Sequence, residues 1–282
     1  MAFQVRREGV LMPGIPRFVD SLVGDVSVSY SGGLDSTAVA LWAITDGKVR
    51  AHLHTLDHGY VYLFNSLAGR TANSLARSVG EDKVFHQFIK TRDLFDQVAM
   101  RSLLADRKRY GQWFGCCLGC TLAIITKVVL YNLERGVPHI CFGSSVGGEY
   151  AVMSKPGSVA LFKEFCAEYG IDYLAPLLDD NIEKSVERRT LKDAGVFAGI
   201  RFLDKHSFGN QGYCLLSLQH LPDVLFNVHP EYEPDAAARF ITDKLPICRE
   251  YIAEQYRGNG RSLDEDVARI RELFDATRGR TS

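Results

Sequence analysis

No excess charge of either sign marks this chain. Lysine and arginine number 33 against 34 acidic residues, a formal net charge of −1, so no global basic field advertises nucleic acid. No continuous apolar run reads as long enough to span a bilayer, which argues against a membrane partner. The opening Met-Ala-Phe-Gln-Val-Arg-Arg-Glu-Gly lacks the apolar core of a secretory signal. Cytoplasmic localisation with reduced thiols is therefore the expectation for the seven cysteines, an odd count in a chain that needs no disulfides to fold. Low-complexity tracts and internal repeats are absent, and so is a Gly-x-x-x-x-Gly-Lys-Ser/Thr loop.

What is present suits a sizeable core: 282 residues, 46% hydrophobic and 24% charged. The chain reads as a lead-in over 1–23, an α/β body over 24–215 and a helical C-terminal extension over 216–282. Strands are expected at 26–30, 49–56, 84–88, 139–142 and 173–176. Helices are expected from the loop after the first strand to about 46, then at 62–79, 118–135, 158–169, 183–194, 234–256 and 262–277. The stretch 92–109 is helix-prone and 199–214 reads as irregular. Strands alternating with helices predict a doubly wound parallel sheet, with ligands beyond the strand C-termini. The turns Ser31–Ser36, Asp57–Gly59 and Gly143–Ser145 all fall at that edge.

The first of these turns is the most informative. Val26-Ser27-Val28-Ser29-Tyr30 runs into Ser31-Gly32-Gly33-Leu34-Asp35-Ser36, and an apolar helical stretch follows at once. Glycines allow a tight turn and close approach of a ligand. The helix start offers unpaired N–H groups and the positive end of its dipole, an anion cradle. The serine hydroxyls add donors, and Asp35 could orient a magnesium ion. This sequence resembles the SGGxDS PP-loop of the ATP pyrophosphatases, which split ATP between its α- and β-phosphates. The resemblance implies a HUP-like fold and ATP with Mg2+ on Ser29, Ser31, Gly32, Gly33, Asp35 and Ser36. By the same resemblance Leu56 and Asp57 would contact adenine, and Gly143 and Ser144 the ribose or phosphates. Read alone, Asp57-His58-Gly59 is equally a plain strand-ending turn.

Cysteine supplies the second signal. Gly115-Cys116-Cys117-Leu118-Gly119-Cys120 holds a Cys-x-x-Cys pair at a helix start, where the dipole favours thiolate. Cys141 and Cys166 read as core, and Cys248 has no partner nearby in sequence. Cys214 lies in the glycine-bearing stretch 208–214. Cys117, Cys120 and Cys214 fit the order seen in PP-loop tRNA thiolases, which hold an iron–sulfur cluster on three cysteines. That resemblance implies a 4Fe–4S cluster with one iron left open for sulfur transfer. The residues alone leave other uses open: a redox dithiol or sulfur relay, Zn2+ with Cys116 or Cys214, or no chemistry.

The chain departs from the thiolases in three places. The first basic residue after Cys120 is Lys127, later than is usual there. The fourth-strand loop reads Gly143-Ser144-Ser145-Val146-Gly147-Gly148-Glu149, with Glu149 as a stand-in for the usual carboxylate. An N-terminal zinc-finger region is missing. Arg107-Lys108-Arg109-Tyr110 with Trp113 could bind phosphates and stack bases, or be a solvated helix end.

The expected function is adenylylation by ATP followed by sulfur transfer to a nucleobase or small-molecule carbon, with Asp35, Cys117, Cys120 and Cys214 as catalytic residues. Expected partners are that substrate, a sulfur donor, tRNA on weaker grounds, and a second copy of the chain. The rivals are a PP-loop amide- or nitrile-forming ligase with zinc or structural cysteines, and a non-catalytic adenine-nucleotide-binding protein.

Overall fold

Val26 and Val28 are fully buried with Ser27 between them, so the first strand is covered on both faces. That is the signature of a central strand in a parallel sheet. The computed structural model describes residues 16–60, 62–63, 65–110, 115–144, 152–196, 213–214, 216 and 233–278. In it β1 (Val26–Ser29) lies between β2 (Ala51–Asp57) and β5 (His139–Phe142). The edges are β4 (Val84–Lys90) and β6 (Asp172–Leu174), and the order is β4-β2-β1-β5-β6. Every pairing in this sheet is parallel.

Helices cover both faces. α1 (Leu34–Thr45), α2 (Ser66–Val79) and α8 (Lys184–Asp193) share one core, in which Trp42, Leu53, Leu75 and Leu191 meet. The opposite core gathers α3 (Arg92–Val98), α4 (Leu103–Tyr110), α5 (Gly115–Arg135) and α6 (Pro156–Glu168). The C-terminal helices α9 (Pro234–Asn259) and α10 (Leu263–Arg278) join that same core through Phe240, Ile241, Ile252 and Ile270. The helical extension therefore packs on the sheet's own helices, α5 and α6 in particular. The short helix α7 (Pro176–Asp179) links β6 to α8.

Two expectations need correction. A helix over 62–79 is predicted from the sequence, yet Tyr62–Leu63 form a short strand, β3, and the helix starts at Ser66. β3 pairs antiparallel with β7 (Tyr213–Cys214), a partner far along the chain that local pattern does not reveal. Secondly, α5 is long and apolar enough to cross a bilayer by length and composition, although no such run is expected from the sequence. Its apolar side chains, among them Leu118, Leu122, Ile125 and Val129, are fully buried in the molecule, as a core helix requires. Of the stretch expected to be irregular, 199–212 lies outside the described residues.

A polar chain threads the apolar centre. Gln87 Nε2 donates to His54 Nδ1 at 3.0 Å, and His54 Nε2 donates to Ser27 Oγ at 2.9 Å. Ser27 donates in turn to Asn132 Oδ1 at 2.5 Å, whose amide donates to the His139 carbonyl at 3.1 Å. Because Gln87 and Asn132 fix the two ends, His54 is the neutral Nε2–H tautomer. Burial pushes its pKa down to about 3, with His52 and His86 adding to the effect.

Candidate functional site

The strand order reverses between β1 and β5, and the crevice at that point receives the turns after both strands. After β1, Gly32 takes φ +75°, a conformation that suits glycine. The loop is tied internally: Gly33 N–H donates to Ser31 Oγ at 3.2 Å and Ser31 N–H to Ser36 Oγ at 3.3 Å. Thr37 Oγ1 donates to the Gly33 carbonyl at 2.6 Å. Gly33 is the N-cap of α1 and supplies no side-chain cap, so this helix end keeps its anion-binding capacity. From β5, Gly143 comes against the same turn. A Cβ built there would lie 2.7 Å from Ser36 N and 2.9 Å from the Asp35 carbonyl carbon. The loops expected to hold phosphate are thus in contact.

Ser29 ends β1 half-buried, and Ser144 is half-buried just after β5. Leu56 and Asp57 end β2, also half-buried. The Leu56 carbonyl accepts from Asn65 Nδ2 at 3.1 Å, and Asp57 Oδ1 accepts the Gly59 N–H at 2.9 Å. Ser145 and Glu149 lie outside the described residues.

Asp35 does not stand alone. Lys184 Nζ, from the start of α8, donates to its Oδ1, and the same ammonium lies 3.7 Å from Glu187 Oε2. Glu187 is fully buried. Burial, and then the neighbouring Asp35 charge, raise its pKa, and Lys184 opposes them. Neither Lys184 nor Glu187 is legible as a site residue in the sequence, because a helix reading Lys-Ser-Val-Glu-Arg-Arg looks like a solvated face.

The cysteines gather at the start of α5. Cys116, Cys117 and Cys120 occupy its first turns rather than a preceding turn. Each is electrostatically perturbed by Cys214, so the pair and the distant cysteine converge. Cys116, unassigned in the expected set, belongs to this group. The expectation of thiolate character at a helix N-terminus fails: burial raises Cys116 to about 11 and Cys117 to about 12, and pushes Cys120 well above the usual thiol value. Cys141, Cys166 and Cys248 are fully buried in the core.

Cys214 is held from a second side. β7 pairs Cys214 with Tyr62, and His58 Nε2 lies 3.2 Å from the Cys214 sulfur. The Tyr60 N–H donates to His58 Nδ1 at 3.1 Å, which leaves the proton on Nε2 and makes His58 the donor to sulfur. His58 stacks on Phe95 with ring centroids 5.1 Å apart, and burial lowers its pKa. The turn after β2 therefore has Asp57 at the C-terminal edge of the strand and His58 against the Cys214 sulfur.

Among the described residues, no group of three or more His, Cys, Asp or Glu side chains stands in metal-holding geometry. The donor chemistry does fit. Soft sulfurs at Cys117, Cys120 and Cys214 suit an iron–sulfur cluster or zinc, and binding would displace their protons. Hard oxygens at Asp35 and Glu187 suit magnesium.

The basic stretch before the cysteines is largely engaged. Arg109 pairs with Asp243 at 2.8 Å, and Tyr110 is buried and donates to Asp243 at 2.6 Å. Lys108 is exposed, and Trp113 lies outside the described residues. Lys127 pairs with Asp93 at 3.0 Å and sits over the Tyr251 ring at 4.6 Å, part of the α5–α9 packing.

Three solved structures are similar in architecture. The U34-tRNA thiolase NcsA from Methanococcus maripaludis, with its 4Fe–4S cluster, is 13% identical, with 84% of this chain and 75% of that one covered and a TM-score of 0.46. A 4-thiouridine synthetase in complex with RNA and ATP is 12% identical over 82% of this chain, with a TM-score of 0.47. This chain spans only 53% of that protein's length. A predicted tRNA methyltransferase subunit from Methanocaldococcus jannaschii is 16% identical, covering 61% of this chain and 89% of its own, with a TM-score of 0.37. No protein-family model matches the chain, and neither does any curated protein. The likeness is one of fold, and the functional reading rests on the residues.

Proposed function

We propose that this chain is a PP-loop enzyme that adenylylates a substrate oxygen with ATP and then replaces that oxygen by sulfur. The catalytic unit is 24–215, with 216–282 as a helical extension. Ser31, Gly32, Gly33 and Ser36 bind the phosphates of ATP with Mg2+, and Asp35 orients the metal. Leu56, Asp57, Gly143 and Ser144 frame the nucleoside, with Ser29 at the foot of the loop. The substrate oxygen attacks the α-phosphorus, the bond to the β-phosphate oxygen breaks, and pyrophosphate leaves. The loop N–H groups offset charge on the phosphates as that bond breaks. A sulfur at the hydrosulfide level, delivered by a donor, then attacks the activated carbon, and AMP leaves with the oxygen. Cys117, Cys120 and Cys214 hold the sulfur-bearing group. A 4Fe–4S cluster bound there would supply an open iron for that sulfur. The acceptor is a nucleobase, in tRNA or free, or a carbon of another small molecule.

One observation supports this most: cysteines from distant parts of the chain lie near enough to perturb one another, and His58, the neighbour of Asp57, donates to one of them. A ligase with merely structural cysteines needs no such meeting beside the nucleotide turn.

The deciding experiment is iron and acid-labile sulfide analysis of protein purified without oxygen. About four of each per chain, lost on Cys117→Ala, Cys120→Ala or Cys214→Ala, is the expected result. Zinc instead, or no metal after anaerobic reconstitution, would remove the cluster and favour the ligase. Pyrophosphate release tests the ATP half separately, and its absence with every nucleobase or tRNA acceptor would favour a nucleotide-binding protein without turnover.

A further inference from the structure

Glu187 is the anomaly of the described chain. Its side chain is 0% exposed, and neither carboxyl oxygen makes a hydrogen bond of ordinary geometry, although Asp35 and Lys184 both lie near enough to act on it. It sits on α8 where that helix packs against α1, and the other buried residue of α8 is Leu191. An apolar side chain would serve packing there at lower cost, since an uncompensated buried charge is strongly destabilising. The nearest cation is Lys184 Nζ at 3.7 Å, and it is already hydrogen-bonded to Asp35. One ammonium thus faces two carboxylates beside a helix start built for phosphate. A polyphosphate entering that cradle would bring more negative charge against Asp35 and Glu187. A cation of higher charge between them would reconcile the three.

We propose that Asp35 and Glu187 together hold the divalent cation that accompanies the nucleotide, with Lys184 as the cation it displaces. The inference rests on the nucleotide reading above and adds to it a residue from a distant part of the chain. Two carboxylates with phosphate oxygens and water make up the usual magnesium set, so no third protein ligand is required. Lys184, released from Asp35, becomes a free ammonium at the mouth of the cradle and is available to a phosphate.

The test is Mn2+ binding to the full chain, read by electron paramagnetic resonance, first with the metal alone and then with α,β-methylene-ATP. Loss of an outer-shell partner already costs about ten- to a hundredfold in metal affinity, so Glu187→Gln is expected to weaken Mn2+ at least about tenfold. Lys184→Met is expected to do the opposite for the metal alone, since it removes the competitor. A merely structural Glu187 would leave Mn2+ affinity unchanged in Glu187→Gln, and that result overturns the proposal. Weaker or unaltered binding in Lys184→Met overturns the displacement. Removing a buried charge should not cost folding, and thermal melting checks it. Glu187→Asp keeps a carboxylate and is expected to recover part of the affinity. Wild-type protein that binds the nucleotide analogue but not Mn2+ refutes this inference alone. Wild-type protein that binds Mn2+ but no nucleotide refutes the ATP reading and leaves the metal pair standing.

Discussion

Gly143 and His58 each decide something that no neighbour can supply. A methyl group on Gly143 would press on the backbone of Asp35 and Ser36 at under 3 Å, where nothing flexible can yield. Overpacking of this kind typically costs about 1–3 kcal/mol. Gly143→Ala is therefore expected to lower nucleotide affinity about tenfold or more while the melting temperature drops by only a few degrees. Calorimetric titration with the analogue measures the first and thermal unfolding the second. His58→Phe would keep the ring over Phe95 but remove the donor to Cys214. Metal retention after anaerobic reconstitution should fall by about tenfold or more, as when other groups that hydrogen-bond a metal ligand are removed. His54 sets a pH limit. Its folded pKa of about 3 lies below the ordinary 6.5, so the unfolded chain takes up a proton first as pH falls. The stability contributed by neutral His54 is complete above pH 6.5 and is lost progressively toward pH 3. The slope approaches about 1.4 kcal/mol per pH unit. Denaturant titrations at several pH values should show it, and His54→Gln should flatten it.

At the level of elements, the period of the sequence carried the alternation well. β1, β5 and both C-terminal helices lie close to where the pattern predicts them, because long periodic stretches and turn glycines mark them. The misses have a common cause in long-range contact. β3 is two residues long and exists only because β7 pairs with it. Glu187 and Lys184 sit in a helix whose local composition is that of a solvated face, and only packing against α1 buries one of them. Helix position alone does not reveal that the cysteines stay protonated, because the burial at the start of α5 outweighs the helix dipole. The start of α5 is itself supported from α9: Phe240 packs on Gly115 and meets Tyr110 edge-on, with ring centroids 5.4 Å apart. Phe240→Ala is expected to cost about 3–5 kcal/mol in chemical denaturation. It should also loosen the cysteine turn, seen as faster alkylation of Cys116.

The whole molecule has two cores on one sheet, and the C-terminal helices belong to one of them. A chain cut before Pro234 would strip α5 and α6 of the helix packed on them, so it is expected to lose cooperative unfolding altogether. A sharp two-state melt of that fragment would show the helices to be dispensable. The polar chain through the sheet, from Gln87 through His54 and Ser27 to Asn132, bears on how this molecule reaches its native form. Parallel apolar strands can slide by two residues and still keep the same face inward. Such a slip here would move His54 away from Ser27 and leave several buried polar groups without partners, each at a cost of about 1–3 kcal/mol. The alignment that brings Ser31 and Gly143 to a common edge is therefore favoured over its slipped alternatives by hydrogen bonds inside the sheet, away from that edge.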